Sequence, residues 1–204
     1  MKKQVFYIHG GESFVQHEAF LERLQTKQIW DLPSALYKKK WTDRLTSDLG
    51  EDYEVFMPQM PNKQNAKYTE WCIWFERHFT HLHDDLILIG CSLGAMFLLR
   101  YVSEHNFPFT IKALFLMAAP VRVEGFNDQD CGDFVFELKN VANIQDKVSN
   151  LFILHSKDDF LVPYEHAQKL KEVLPKAELV TFDDKNHFLV EKFPELVEEI
   201  KSVG

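Results

Sequence analysis

A chain of 204 residues is expected to form a single domain, 1–204, with a core large enough to need no disulfide or metal for its stability. The 31 acidic and 23 basic residues give a formal net charge of −8. Because an acidic surface repels phosphate backbones and anionic lipids, the composition excludes nucleic acid and membranes as the main partners.

The cysteines and the apolar stretches indicate where the protein works. Three cysteines without C-x-x-C spacing favour free thiols in a reducing compartment over a disulfide framework or a zinc site. The first residues, MKKQVFYIHG, are too poor in apolar side chains for a signal-peptide core and are typical of a strand. The longest apolar stretch, residues 86–99, is interrupted by glycine and serine and is shorter than the ~20 residues of a membrane span. We therefore expect a cytoplasmic protein, whose oligomeric state the sequence leaves open.

Short apolar runs alternate with helical patterns along the whole chain. The runs are nearly continuous, as expected for strands that are buried on both faces of a parallel sheet. The predicted strands are 5–8, 54–57, 86–89, 113–117, 151–154 and 178–182. The predicted helices are 18–25 with 41–49, 69–81, 93–105, 164–174 and 195–202. This alternation predicts a doubly wound α/β fold with a mostly parallel six-stranded sheet and helices on both faces.

Two connections, residues 12–50 and 121–150, are longer than this alternation requires. The first contains two tryptophans and a run of three lysines, and the second contains three phenylalanines: Trp30, Trp41, Lys38, Lys39, Lys40, Phe126, Phe134 and Phe136. Ligands of open α/β sheets bind beyond the carboxyl ends of the strands, so these connections are candidate pocket walls or lids. Surface decoration is the alternative for each.

The pentapeptide Gly90-Cys91-Ser92-Leu93-Gly94 follows the third predicted strand and opens a helix. In a nucleophile elbow the strand-to-helix turn is so tight that the flanking positions must be small, which fits the two glycines. The turn lifts the middle side chain above the sheet edge, so Ser92 is the predicted nucleophile. Cys91 is a rival nucleophile, but at a flanking position of the elbow it is expected to face the core.

The segment His9-Gly10-Gly11 follows the first predicted strand. A glycine pair there permits unusual backbone angles and lets an amide approach a bound oxyanion closely. We predict that the backbone N–H groups of Gly11 and Leu93 form an oxyanion hole, with a simple tight strand exit as the alternative. His9 is expected to be a hydrogen-bonded structural histidine rather than a base.

An acid and a histidine follow in the order that a serine triad needs. Asp158 and Asp159 both lie in the loop after the fifth predicted strand, and the position of Asp159 four residues before Pro163 favours Asp159. Helix capping or a solvated loop is the alternative for both. Of the nine histidines, His187 is the one that follows both the serine and the acid and lies in the loop beyond the last strand; an ordinary surface histidine is its alternative. The order serine, aspartate, histidine is that of α/β-hydrolases.

With these motifs in this order, the chain resembles the α/β-hydrolase superfamily over essentially its whole length, without the usual leading antiparallel strands and with a minimal cap. It looks most like the compact serine hydrolases of the retinoblastoma-binding protein nine type. The residues that support this likeness are Trp41, Leu45, 57–61, Trp71, Asp159, 162–163 and 186–188. Two departures, Cys91 where such families often have histidine and a longer segment 10–40, leave the substrate class open.

The resemblance implies a triad in which Ser92 attacks, His187 acts as general base and then acid, and Asp159 orients His187. It implies carboxylesterase-like cleavage of a small ester, thioester or amide through an acyl-enzyme, on a small-molecule acyl substrate and without cofactor or metal. Acyl transfer to another acceptor and carbon–carbon bond hydrolysis use the same triad and stay open. So do a non-catalytic binding protein on this scaffold and a metal-dependent hydrolase. The latter has little support, because the histidines at 78, 81 and 83 are typical of a helix end rather than a metal site.

Overall fold

A parallel sheet of six strands forms the centre of the molecule in a computed structural model, which describes residues 1–29, 39–122 and 131–204. The strands are β1 (Lys3–Ile8), β2 (Tyr53–Phe56), β3 (Leu86–Cys91), β4 (Ile111–Met117), β5 (Val148–Ser156) and β6 (Glu178–Phe182). Their order is β2-β1-β3-β4-β5-β6, and every neighbouring pair is parallel. The sequence-based prediction of an α/β sheet of six strands is confirmed, and the described strands are all parallel.

Six α-helices and four 3₁₀ segments lie among the described residues. The α-helices are α1 (His17–Thr26), α2 (Leu45–Leu49), α3 (Tyr68–Glu76), α4 (Leu93–Glu104), α5 (Glu165–Val173) and α6 (Pro194–Val203). The 3₁₀ segments are Trp41–Asp43, Phe79–His81, Gly132–Phe134 and Leu138–Asp146. The helix predicted over 69–81 therefore ends earlier, at Glu76, and continues as a separate 3₁₀ turn. No helix in the described ranges is long and apolar enough to cross a membrane.

Each face of the sheet carries its own buried layer. Alternate residues of a strand, such as Phe6 and Ile8 of β1, pack against α3, α4 and α5. The residues between them, such as Val5 and Tyr7, pack against α2, α6 and Trp41. Because both faces are covered, both sets of side chains must be apolar, which explains why the strands read as continuous apolar runs.

The topology places a crevice between the ends of two neighbouring strands. The chain runs outward from β1 to the edge strand β2 and then crosses back to β3 on the other side of β1. In doubly wound sheets such a reversal of strand order opens a cleft at the carboxyl ends of the strands, where ligands bind. The loop at Gly10 and the turn at Ser92 both leave the sheet at this cleft.

Candidate active site

Ser92 forms the turn between β3 and α4 in a strained backbone conformation. Its φ of 54° and ψ of −121° lie in a region that residues other than glycine rarely adopt. The flanking glycines allow the tight turn: a Cβ at Gly90 would come within 2.6 Å of the Gly94 carbonyl oxygen, and a Cβ at Gly94 would overlap the carbonyl oxygens of Ile8 and His9. The elbow that the pentapeptide predicts is therefore present, and α4 packs closely on the end of β1.

Cys91 lies beside Ser92 but has the properties of a core residue. Its side chain is buried in the layer that contains Tyr7 and Trp41. Burial, together with the negative charge of Asp159, raises the pKa of the Cys91 thiol to about 12. A thiol that stays protonated at neutral pH is a poor nucleophile. The expectation that Cys91 faces the core is confirmed.

His187 and Asp159 form a buried pair beyond the ends of β5 and β6. His187 Nδ1 lies 2.8 Å from Asp159 Oδ2, and only 7% of His187 is exposed. The other carboxylate oxygen of Asp159 accepts the backbone N–H groups of Leu161 at 2.8 Å and Val162 at 2.9 Å. Burial raises the pKa of Asp159, but the hydrogen bonds from His187 and these amides outweigh it and hold the pKa below its ordinary value. An ionised carboxylate at Nδ1 leaves Nε2 of His187 as the proton acceptor.

Asp158, the rival acid in the sequence, contacts the backbone of the histidine loop instead. Its Oδ1 accepts the N–H of Asn186 at 2.8 Å and the hydroxyl of Ser156 at 2.5 Å. The Ser156 oxygen in turn accepts the N–H of Lys185 at 3.0 Å. Ser156 and Asp158 thus fix the two residues before His187, a role that the sequence alone does not indicate for either of them. The signal available in the sequence was only their position at the end of a strand.

Trp41 holds the same loop from the other side. Its indole Nε1–H donates to the Phe188 carbonyl at 3.0 Å, and its backbone N–H donates to the Val190 carbonyl at 3.0 Å. The indole also meets the ring of Tyr7 edge-on, with 5.3 Å between ring centroids. Both neighbours of His187 in the chain, Asn186 and Phe188, have positive φ, at 43° and 54°. The histidine therefore sits on a sharply bent loop that is tied down on both sides.

A cavity of about 670 Å³ brings the serine and the histidine together. Ser92 and His187 both line it, with Gly10 and Gly11 at the end of β1. Further walls come from 40–43, 57–59, Lys63, Leu161 and Leu189. This volume is within the range of sites for small organic molecules.

The two long connections differ in what they contribute to this cavity. The first supplies Glu12, Lys27 and residues 40–43 to its wall, as the sequence predicts for part of that connection. In the second, Phe134 is fully buried with its ring 5.0 Å from that of Trp71, and Phe136 packs on the same cluster. The expectation that these two phenylalanines belong to a pocket wall is therefore wrong, because they fill the core beside α3 and α4. Trp30, Lys38 and Phe126 lie outside the described residues.

The glycine pair after β1 serves close packing rather than unusual backbone angles. Among the described glycines only Gly50 and Gly132 have positive φ. A Cβ at Gly10 would lie 3.1 Å from Ser92 Cβ, and one at Gly11 would lie 2.7 Å from the Lys63 carbonyl oxygen. The part of the prediction that rests on backbone angles is thus wrong, and the oxyanion hole stays a prediction.

His9 is a structural histidine, as predicted. Its Nδ1 lies 2.7 Å from the Gly10 carbonyl oxygen, and its Nε2 accepts the N–H of Met60 at 2.9 Å. Burial lowers the pKa of His9, which favours the neutral ring that this bonding pattern requires. With both ring nitrogens engaged by backbone groups, His9 ties the segment after β2 to the glycine loop.

The histidines at 78, 81 and 83 form no metal site. His78 Nδ1 lies 2.8 Å from the Trp74 carbonyl oxygen, and His83 contacts the carbonyl oxygens of Asp84 and Lys2. Within the ranges that the structure describes, no group of three or more histidine, cysteine or acidic side chains is arranged to hold a metal ion.

The parallel sheet, with a serine elbow at its switch point, has the α/β-hydrolase fold. Comparison with known protein families identifies the family within this fold. The chain belongs to the serine hydrolase family, whose model matches residues 35–201. The protein is therefore a hydrolase, and its predicted likeness to the retinoblastoma-binding protein nine type is confirmed.

Individual relatives agree with this assignment. Serine hydrolase RBBP9 of Rattus norvegicus is 25% identical over 151 residues, which are 74% of this chain and 78% of the relative. The ydeN gene product from B. subtilis has a TM-score of 0.74 at 19% identity, over 99% of this chain and 98% of that one. Est1E from Butyrivibrio proteoclasticus has a TM-score of 0.61 at 16% identity, over 98% of this chain and 86% of that one.

Proposed function

We propose that the protein cleaves a small ester, thioester or amide through an acyl-enzyme on Ser92, with carboxylesterase-like activity. One observation carries this proposal: His187, paired with the Asp159 carboxylate at 2.8 Å, lines the same cavity as the elbow serine. A serine hydroxyl is a weak nucleophile until an imidazole takes its proton, and the imidazole needs a carboxylate to hold its tautomer and stabilise its charged form.

In the first half of the proposed reaction, His187 Nε2 takes the hydroxyl proton while Ser92 Oγ attacks the substrate carbonyl carbon. The carbonyl π electrons move to the oxygen and give a tetrahedral oxyanion. Asp159 stabilises the imidazolium without becoming protonated, in keeping with its lowered pKa. When the intermediate collapses, the bond to the alcohol, thiol or amine breaks, and His187 gives its proton to that leaving group. The acyl group remains on Ser92 as an ester.

In the second half, water takes the place of the leaving group. His187 Nε2 removes a proton from the water, whose oxygen attacks the acyl carbonyl. The second tetrahedral intermediate collapses with return of the proton to Ser92 Oγ and release of the carboxylic acid. Because the same imidazole acts in both halves, its loop must stay in place throughout, which fits the contacts from Asp158 and Trp41.

The proposed oxyanion hole consists of the backbone N–H groups of Gly11 and Leu93. Leu93 is the first residue of α4, and the first N–H groups of a helix have no partner within the helix. Gly11 lines the cavity beside Gly10, whose backbone approaches Ser92 closely. Two such donors aimed at the oxygen are expected to stabilise its charge in both tetrahedral states.

A fluorophosphonate probe tests this proposal, since it labels an activated serine covalently. We expect the wild-type protein to be labelled and to hydrolyse para-nitrophenyl esters of short acids, and Ser92→Ala to abolish both. Cys91→Ala is the matched control, because it removes the neighbouring thiol and leaves the serine and both glycines of the elbow intact. Labelling that survives Ser92→Ala, or a folded wild-type protein that is neither labelled nor active, would refute the proposed function.

A further inference from the structure

One wall of the cavity combines the glycine loop after β1 with Lys63. The Lys63 carbonyl accepts the N–H of Glu12 at 2.8 Å. Gly11 approaches the same carbonyl so closely that a Cβ at Gly11 would lie 2.7 Å from it. The backbone of Lys63 is therefore fixed against the loop that borders Ser92, and Lys63 is one of the residues that line the cavity.

This wall has an excess of positive charge. Glu12 forms ion pairs with both Arg23 and Lys27, at 2.5 Å each, so two cations already share its one carboxylate. The Lys63 ammonium lies 3.4 Å from the Gln59 amide oxygen, which is neutral. Within the described ranges, Lys63 has no carboxylate within ion-pair distance. Of these residues Glu12, Lys27 and Lys63 line the cavity, so this part of the lining holds two cations against one carboxylate.

The other charged residues that line the cavity in the described part of the chain do not cancel this excess. Lys40 and Asp43 contribute one charge of each sign on a separate segment of the lining, so their formal charges sum to zero. The Asp159 carboxylate is already engaged by the His187 ring and by the backbone N–H of Leu161. In a chain of net charge −8, a locally positive wall inside a cleft attracts anionic ligands.

We propose that Lys63 binds a carboxylate of the substrate, so that the substrate is a carboxylate-bearing ester, thioester or amide. A single ammonium matches a monoanion, whereas phosphate groups are usually held by several donors or by the fork of an arginine. The carboxylate stands at a distance from the bond that is cleaved, on either its acyl or its leaving-group side. This inference rests on the proposed acyl transfer at Ser92.

Matched pairs of esters test the proposal. On the acyl side, para-nitrophenyl hexanoate is compared with the mono-para-nitrophenyl ester of adipic acid, which ends in a carboxylate. On the leaving-group side, phenyl acetate is compared with para-acetoxybenzoate. The measured quantity is the ratio of kcat/KM for the charged ester to kcat/KM for the neutral ester, after subtraction of spontaneous hydrolysis.

We expect Lys63→Met to lower this ratio about fivefold for one of the pairs, as is typical of an ion pair near solvent, and Lys63→Glu to lower it further. The pair that responds identifies the side of the substrate that carries the carboxylate. The ratio of the wild-type protein should also fall with added salt, because salt screens an exposed charge. Lys139→Met is the control: it removes the same charge from an exposed residue that does not line the cavity, and it should leave the ratio unchanged.

Two results would overturn the assignment of Lys63. One is a ratio that Lys63→Met and Lys63→Glu leave unchanged for both pairs. The other is a ratio that falls with Lys40→Met and not with Lys63→Met, which would move the carboxylate to a different wall. A wild-type protein that hydrolyses none of the four esters and resists the fluorophosphonate would instead refute the proposed function, and the role of Lys63 with it.

Discussion

Asp158 accepts the backbone N–H of Asn186 at 2.8 Å, so the residue before Asp159 holds the residue before His187. Asp159 itself contacts the His187 ring, also at 2.8 Å. Two adjacent carboxylates thus act on the same histidine in different ways, one through the imidazole and the other through the backbone. Since all of these residues lie beyond the ends of β5 and β6, the pairing of the two strands places the acid and the histidine together.

Substitution of each aspartate by asparagine should separate these two roles. Asp159→Asn removes the negative charge at Nδ1 and favours the wrong histidine tautomer, so kcat should fall about 10³- to 10⁴-fold. Asp158→Asn keeps an oxygen that can accept the Asn186 N–H, so kcat should fall only about tenfold or less. Ester hydrolysis measured on both variants at saturating substrate checks this. A larger loss for Asp158→Asn than for Asp159→Asn would transfer the role of the acid to Asp158.

The sequence predicts most of the fold because its signals are local. Continuous apolar runs follow from burial on both faces of the sheet, and the elbow follows from two glycines around a serine. The choice between Asp158 and Asp159 does not depend on a local signal. The role of each carboxylate is determined by a hydrogen-bond partner 28 residues away, in the histidine loop. The spacing to a proline favours one of them but does not reveal what the other one does.

Two errors of the sequence analysis have the same origin. The Lys63 carbonyl leaves no room for a Cβ at Gly11, and Ser92 makes a Cβ at Gly10 a tight fit, although both contacts come from residues far away in the chain. Phe134 resembles the lining of a pocket in a long connection, but it packs on Trp71. In each case a tertiary contact decides the role of the residue, and no local pattern encodes that contact.

Trp41→Phe should weaken catalysis by loosening the histidine loop. Phenylalanine keeps an aromatic ring against Tyr7 but cannot donate to the Phe188 carbonyl, which leaves that buried acceptor without its partner. We expect a loss of about 1–3 kcal/mol in the free energy of unfolding and a fall in kcat of about tenfold. Urea denaturation and ester hydrolysis measure the two effects.

The control for this variant is Trp74→Phe, at a more exposed tryptophan on α3. It should change kcat little. Equal kcat values for Trp41→Phe and the wild-type protein would show that the indole hydrogen bond does not support the position of His187.

Ser92→Gly should be more stable than Ser92→Ala, although both variants lack the serine hydroxyl. The φ of 54° and ψ of −121° at this position are strained for alanine as for serine, and glycine adopts them readily. Loss of the backbone strain should stabilise the glycine variant by about 1–3 kcal/mol. Because glycine has a higher conformational entropy in the unfolded chain, the net gain in the free energy of unfolding should be about 1 kcal/mol. Thermal unfolding of the two variants side by side measures the difference. A glycine variant no more stable than the alanine variant would show that the elbow stores no strain.

Stability should fall as the pH is lowered through the range in which histidine titrates. His155 and His166 are each 1% exposed, and burial lowers the pKa of both below the ordinary value of 6.5. Below that value the unfolded chain binds protons that the folded protein does not, so acid favours unfolding. Between about pH 7.5 and 5.5 the loss should reach up to about 1 kcal/mol for each histidine.

His166→Asn isolates one of these contributions. Asparagine offers an oxygen in place of Nδ1, which accepts the Val121 N–H at 3.1 Å, but it does not titrate. The variant should therefore lose less stability than the wild-type protein between the two pH values, as measured by urea denaturation at each. An equal loss in both proteins would mean that His166 binds its proton as readily in the folded state as in the unfolded state. The pH dependence would then have to come from His155 and other groups.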